Sequence, residues 1–300
     1  MMVLTKQPDL RGELREHEPL TRYTSWRTGG SAQRLYTPAD IDDLACYLAS
    51  RPADEPICWI GLGSNLLVRD GGIRGSVIVT SGALGGLERR GDSTVRAEAG
   101  VPGAKVARFC VEHGLSGAEF LAGIPGTVGG ALAMNAGAFG GETWSIVERV
   151  ETIDRYGERR ARSADEYTIG YRSVNGPRGE WFTAAHFRLI PGKTDEGKGL
   201  IKSLLARRGA TQPTQLPNAG SVFKNPPNDH AARLIEASGL KGYCIGNACV
   251  SDLHANFIVN RGGARAADIE QLIQHVRETV RMKHGVALES EVRIIGEATT

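Results

Sequence analysis

Ala122-Gly-Ile-Pro-Gly-Thr-Val-Gly-Gly-Ala-Leu-Ala-Met-Asn-Ala-Gly-Ala-Phe-Gly-Gly141 is the stretch on which the reading of this chain turns. Its first part, Gly123-Ile124-Pro125-Gly126-Thr127-Val128-Gly129-Gly130, holds four glycines, one proline and no charge. Asn135 is the strongly polar side chain that follows. Such a segment cannot pack a core by itself. It lets backbone amides approach a flat or anionic ligand closely. A flexible linker is the plainer alternative, but linkers are usually richer in serine and charge. The GxxxxGK[ST] phosphate loop is absent, which argues against an ordinary P-loop ATPase.

Outward from this stretch, glycine is the compositional outlier, with 39 in 300 residues against a typical ~7%. The glycines cluster near 61–75, 123–141 and the 260s. Length allows two or three domains. A net charge of +2 offers no electrostatic reason to expect a nucleic acid or a membrane surface as partner. Cys46, Cys58, Cys110, Cys244 and Cys249 form no CxxC pair, which argues against a disulfide scaffold or a zinc site and fits a reducing compartment. The polar N-terminus and the lack of a long apolar run predict a soluble, cytoplasmic protein. The seven histidines fall in no metal-binding spacing, so no metal is expected.

The pattern predicts a loose tail over 1–18, then mixed α/β structure. Thr37-Pro38 reads as a helix start before Ile41, Leu44, Ala45 and Leu48. Ile57–Ile60 reads as a buried strand running into Gly61-Leu-Gly63-Ser64-Asn65. That turn opens like a dinucleotide fingerprint, but Leu66 replaces the third glycine and more strand follows. A phosphate site with Ser64 and Asn65 and a plain tight turn both remain open. Strands are predicted at 76–79, 95–99, 146–154 and 180–190, helices at 106–113, 229–237 and 269–284, and a final strand at 288–295.

Three further features are ambiguous alone. Asn218-Ala-Gly-Ser221 is either a proton-donating serine beside anion-binding Lys224 and Asn225 or, more simply, a capping serine at a turn. Glu289 and Glu291 alternate on the predicted final strand, as an acid–base pair or a solvated face. Arg172, in Tyr167-Thr-Ile-Gly-Tyr-Arg172, has no assignment by itself.

Together, in order and spacing, these blocks resemble the UDP-N-acetylenolpyruvoylglucosamine reductases (MurB). The likeness rests on Tyr23-Thr-Ser-Trp-Arg-Thr-Gly-Gly-Ser-Ala32, Gly61–Asn65, Gly123–Gly130, Gly170-Tyr-Arg172, Ala219–Pro226, His254-Ala-Asn-Phe-Ile-Val-Asn260 and Leu288-Glu-Ser-Glu-Val-Arg293. It covers roughly residues 20 to 296. The interval from Arg172 to Ser221 is too short for the extra substrate-covering loop of the longer class, so the chain looks like the shorter, second type. The resemblance implies an α+β fold: a two-subdomain FAD-binding module of vanillyl-alcohol-oxidase type (19–84 and 85–195) and a C-terminal α+β substrate-binding domain (196–300), with the final strand free to return to the module.

It also implies an NADPH-dependent, FAD-mediated reduction of UDP-N-acetylglucosamine enolpyruvate to UDP-N-acetylmuramate in peptidoglycan precursor synthesis, with no obligate protein partner. Ser221 matches the proton donor, Arg172 the arginine that steadies the developing enediolate, and Glu291 the catalytic glutamate. Gly61, Gly63, Ser64, Asn65, Gly123–Gly130 (Val128 aside) and Asn135 are expected at FAD. Asn225, Lys224 and Tyr171 are expected at the substrate. Val174 stands where the family usually carries a serine after the Tyr-Arg pair. Two rival readings are a flavin oxidase on the same fold and a nucleotide-binding protein without activity.

Overall fold

The computed structural model describes residues 10–299. By contact they fall into two units: residues up to 15, Arg34–Gly61 and Gly75–Lys202 in one, and Glu16–Gln33, Leu62–Arg74 and the chain from Ser203 onward in the other. The chain thus passes between the units several times.

In the first unit, Ile57–Ile60 pairs in parallel with Ile73–Val79, Ile57 opposite Ser76 and Ile60 opposite Val79. The sheet continues through Ser31–Thr37 to an edge strand, Glu13–Pro19. Part of the expected tail is therefore a strand, while residues 1–9 lie outside the described residues. Its sequence, Glu-Leu-Arg-Glu-His-Glu-Pro, hides it, because an exposed edge is marked by charge rather than by apolar alternation. Helix α1 (Ile41–Ala49) packs Leu44, Tyr47 and Leu48 into this core. Its cap is Asp40, whose side chain accepts the Asp43 N–H at 2.9 Å, and not Thr37.

A second sheet is fully antiparallel, in the order Arg159–Ser163, Val147–Asp154, Glu180–Arg188, Thr94–Glu98, Leu87–Arg90. One face buries Val95, Ala97, Val150, Ala185 and Phe187 with α2 (Gly103–Glu112) and α3 (Val128–Met134). Its β-branched and aromatic residues alternate with arginines and glutamates on the other face, which is why these strands were legible. Helix α4 (Thr194–Thr211) follows.

The second unit is built on α5 (Ala231–Ala237) and α6 (Ala266–His284), with a three-stranded antiparallel sheet of Cys244–Ile245, Ala248–Val250 and Ile258–Asn260. Ile269, Leu272, Ile273, Val276 and Val280 share the buried stripe of α6, and Gly285 ends it in the left-handed region (φ 69°). Asp70 caps α6 from afar, accepting the Ala266 and Ala267 N–H groups at 3.0 and 2.9 Å. Arg293–Ile295 pairs in parallel with Leu66–Val68.

Two expectations are corrected here. Residues 288–292 form no continuous strand; Ser290 makes an isolated antiparallel bridge with Phe223, in which Lys224 N–H bonds Glu289 O and Glu291 N–H bonds Val222 O. Cys244 and Cys249 stand opposite each other in the hairpin and are joined as a disulfide, a pairing set by register that no CxxC spacing announces. Cys46, Cys58 and Cys110 are free.

Candidate active site

In the first unit the glycine loop is pinned from behind. Gly103 N–H donates to Gly126 O, Val128 N–H to Val101 O and Gly129 N–H to Ala99 O, each at 2.9 Å. Gly61 lies against it: a Cβ there would come within 2.3 Å of Thr127 Oγ1. A Cβ on Gly130 would meet nothing beyond its own helix backbone closer than that hydroxyl, at 3.9 Å. Thr127 is 1% exposed, and its Oγ1 is buried without a hydrogen-bond partner among the described residues; Trp59 Nε1 shares that state. A buried hydroxyl in that condition costs stability unless a ligand completes it. Residues lining Gly61, Thr127 and Gly130 thus fit a cofactor that approaches the backbone and offers an acceptor or donor to Thr127.

Asn135 does not present its side chain in the same way. It is fully buried and left-handed (φ 46°), closing α3. Its amide donates to Glu142 and to Gly170 O, and its Oδ1 accepts the Trp144 N–H. Both amide hydrogens are committed to protein groups. Its backbone O, with that of Gly137, receives the Arg172 guanidinium at 3.2 and 3.1 Å. Asn135 therefore organises the Arg172 segment. Arg172 itself sits at φ 50° on the turn between Thr168–Gly170 and Ser173–Asn175. Tyr171, 49% exposed, lies under the guanidinium, 5.2 Å from its ring centre. Val174 packs against the core of this unit, so support for Arg172 comes from two carbonyls rather than from a serine at that position.

In the second unit, Ser221 and Glu291 are brought to one junction. Val222 O accepts the Glu291 N–H at 2.8 Å. Phe223 and Ser290 bridge in antiparallel fashion. Asn65 donates its side-chain amide to Glu291 O at 3.0 Å and accepts the Arg293 N–H on its own carbonyl. Asn65 thereby ties the glycine turn to the glutamate loop. In that turn Gly63 is required: its φ is 60°, and a Cβ would come within 2.0 Å of Tyr23 O. Ser64 follows it, half-buried. Lys224 pairs with Glu289 at 2.5 Å, and Asn225 Oδ1 accepts the Ala231 N–H at the start of α5. Asn218 and Asn256 lie within the motif blocks without a role of their own there, and Asp70 lies outside them. Each acts on backbone groups distant in sequence or hidden in a loop, so periodicity gives no signal for them.

The FAD binding domain family matches residues 32–161, and the C-terminal domain family of UDP-N-acetylenolpyruvoylglucosamine reductase matches residues 212–295. A UDP-N-acetylenolpyruvoylglucosamine reductase of Methylococcus capsulatus is 62% identical over 288 residues, covering 96% of this chain and 95% of that one. That of Alkalilimnicola ehrlichii is 59% identical, covering 96% of each. The crystal structure of the reductase (MurB) from Thermus caldophilus superposes with a TM-score of 0.79 at 34% identity, covering 95% of this chain and 98% of that one. With two matched domains in the expected order and relatives of this identity along nearly its whole length, the chain belongs to the UDP-N-acetylenolpyruvoylglucosamine reductase family.

Proposed function

We propose that this protein reduces the enolpyruvyl group of UDP-N-acetylglucosamine enolpyruvate to give UDP-N-acetylmuramate in peptidoglycan precursor synthesis, as a cytoplasmic enzyme with no obligate protein partner. The observation that carries the reading is the junction of the Ala-Gly-Ser221 loop with the Leu-Glu-Ser-Glu291 loop, which sets a hydroxyl and a carboxylate on adjoining backbone. Bound FAD supplies the hydride chemistry, with NADPH as the source and the vinyl CH2 carbon of the enolpyruvyl ether as the acceptor. Gly61, Thr127 and Gly130 hold the cofactor, together with the Gly63–Ser64 turn.

The chain's own residues do the rest. Hydride addition to the CH2 carbon leaves negative charge on the adjacent carbon and its carboxylate. Arg172 meets that carboxylate with a planar, always-charged fork. Glu291, as the protonated carboxylic acid, donates a hydrogen bond to the same group. Ser221 donates its hydroxyl proton to the carbanionic carbon. Serine is a weak acid, but the carbanion is a stronger base, so the transfer runs downhill. Asn225, Lys224 and Tyr171 contact the remainder of the substrate. Among the described residues no helix is long and apolar enough to cross a membrane.

The test is direct. Purified protein shows a flavin spectrum, bleaches with anaerobic NADPH, and recovers colour when the enolpyruvyl UDP-sugar is added. Ser221→Ala keeps the first two responses and loses the third by more than the ~10²–10⁴-fold typical of general acids, since water is excluded. Near-normal recovery of colour in that variant removes Ser221 from the mechanism. Rapid bleaching reversal by air alone, with no response to the sugar, points instead to an oxidase.

A further inference from the structure

We infer that Asn256 is the positioning residue of Ser221. The inference rests on the reading of Ser221 as proton donor. Asn256 is 4% exposed and spends its side chain on both backbone polar groups of one residue of the neighbouring loop. Its Oδ1 accepts the Phe223 N–H at 3.0 Å, and its Nδ2 donates to Phe223 O at 2.8 Å. Its backbone O accepts the Val222 N–H at 2.9 Å. The two residues after Ser221 are thus held by three bonds from a single residue 35 positions along the chain, as a strand partner would hold them. The amide orientation is fixed by this pairing: the flipped form would face N–H with N–H and carbonyl with carbonyl.

Ser221 needs such a clamp. Gly220 before it sits at φ 72° with open space around its Cα. The loop has no sheet ladder of its own at that point. On the upstream side Asn218 Oδ1 accepts the Gly220 N–H at 2.9 Å, and its Nδ2 bonds Pro213 O and Leu216 O. Asn218 thus fixes the Ala219–Gly220 peptide, while Asn256 fixes the Ser221–Val222 peptide with its backbone O and the two peptides of Phe223 with its side chain, so Ser221 lies between two anchored stretches. Val222 is also the residue whose O receives the Glu291 N–H, so the clamp sets hydroxyl and carboxylate together. Among the described residues the Asn256 side chain bonds nothing but Phe223. Removing it strands a buried N–H and a buried C=O, and the loop escapes that cost by shifting the serine. A misplacement of about 1 Å costs on the order of 10²-fold in rate.

The experiment uses the holoenzyme and follows the two half-reactions separately. Asn256→Ala, with Asn256→Asp as the isosteric variant that keeps one acceptor and loses the donor, should bleach with NADPH at close to the normal rate. Recovery of colour at saturating enolpyruvyl UDP-sugar should slow about 10²-fold, with little change in the sugar concentration giving half-maximal rate. In the Ser221→Ala background Asn256→Ala should add less than about twofold, because the two act through one group. Normal recovery in both Asn256 variants, equal loss in both half-reactions, or multiplying effects in the double variant overturns the inference. So does failure of both variants to be isolated with flavin, which would make Asn256 a folding residue only. Near-normal Ser221→Ala overturns the reading of Ser221 itself, a separate outcome.

Discussion

Thr127 illustrates how a single atom carries information that composition does not. Its hydroxyl is buried, without a hydrogen-bond partner among the described residues, and pressed against the position where Gly61 lacks a side chain. Thr127→Val removes the hydroxyl at constant shape. The protein without cofactor should be equally or more stable in a thermal melt, because an unsatisfied group is gone. FAD release, followed by fluorescence on dilution, should become about 3–10-fold more favourable, as the loss of one hydrogen bond of ~0.5–1.5 kcal/mol implies. Unchanged retention of FAD would mean that the hydroxyl faces no part of the cofactor. The glycines around it were legible in the sequence because only they allow such closeness. The idle hydroxyl was not, since hydrogen-bond satisfaction depends on neighbours distant along the chain. Asn135 shows the opposite outcome: the polar side chain in the glycine stretch faces inward and braces Arg172's carbonyl partners.

The element that best repays its alternating pattern is the antiparallel sheet of the first unit. On its polar face Arg96 grips Glu151 at 2.7 and 2.6 Å, and buried His186 adds a contact at 2.8 Å. The hydrogen bonds from Arg96 hold the Glu151 carboxyl down to about 2, against an ordinary 4.5. A carboxyl lowered in the folded state stabilises above its unfolded value, and that contribution disappears as pH falls from ~4.5 through about 2. Glu151→Gln should accordingly lower stability near neutral pH by on the order of 1 kcal/mol, after allowance for partial solvent screening. Its melting temperature should then fall less steeply than the parent's between pH 5 and 2. Parallel acid profiles for the two would show that the pair does not titrate on unfolding. By contrast, the stretch at 288–292 makes a single antiparallel bridge, Ser290 to Phe223, rather than the expected strand. Its apolar and acidic alternation imitates a pleat, while its amides bond to the Ser221 loop instead.

At the scale of the whole molecule, the interleaving of the two units has a consequence for folding. The core around α6 contains Trp26 and Leu67, both fully buried. Trp26 Nε1 donates to Ile258 O at 2.8 Å, Asp70 caps α6, and Leu66–Val68 is the pairing partner of the last strand. All three come from segments far upstream. A fragment beginning at Ser203 should therefore lack a cooperative thermal transition and give a poorly dispersed amide spectrum, although it spans the whole C-terminal family match. A sharp transition in that fragment would show that the upstream segments are dispensable.

The amino-acid sequence alone determined the elements with strong period: the buried stripe of α6, the alternation along Val147–Asp154, the glycine stretches that demand close backbone approach, and the ordered motifs of the family. These depend on local sterics and on burial of one face, which a linear pattern records. Only the tertiary structure decided that a charged segment near the N-terminus is an edge strand, that Cys244 meets Cys249, and that Asn65, Asn256 and Asp70 serve backbone groups far away. Polar side chains of that kind take their roles from whichever unpaired N–H or C=O the fold brings within about 3 Å, and no spacing along the chain encodes that distance.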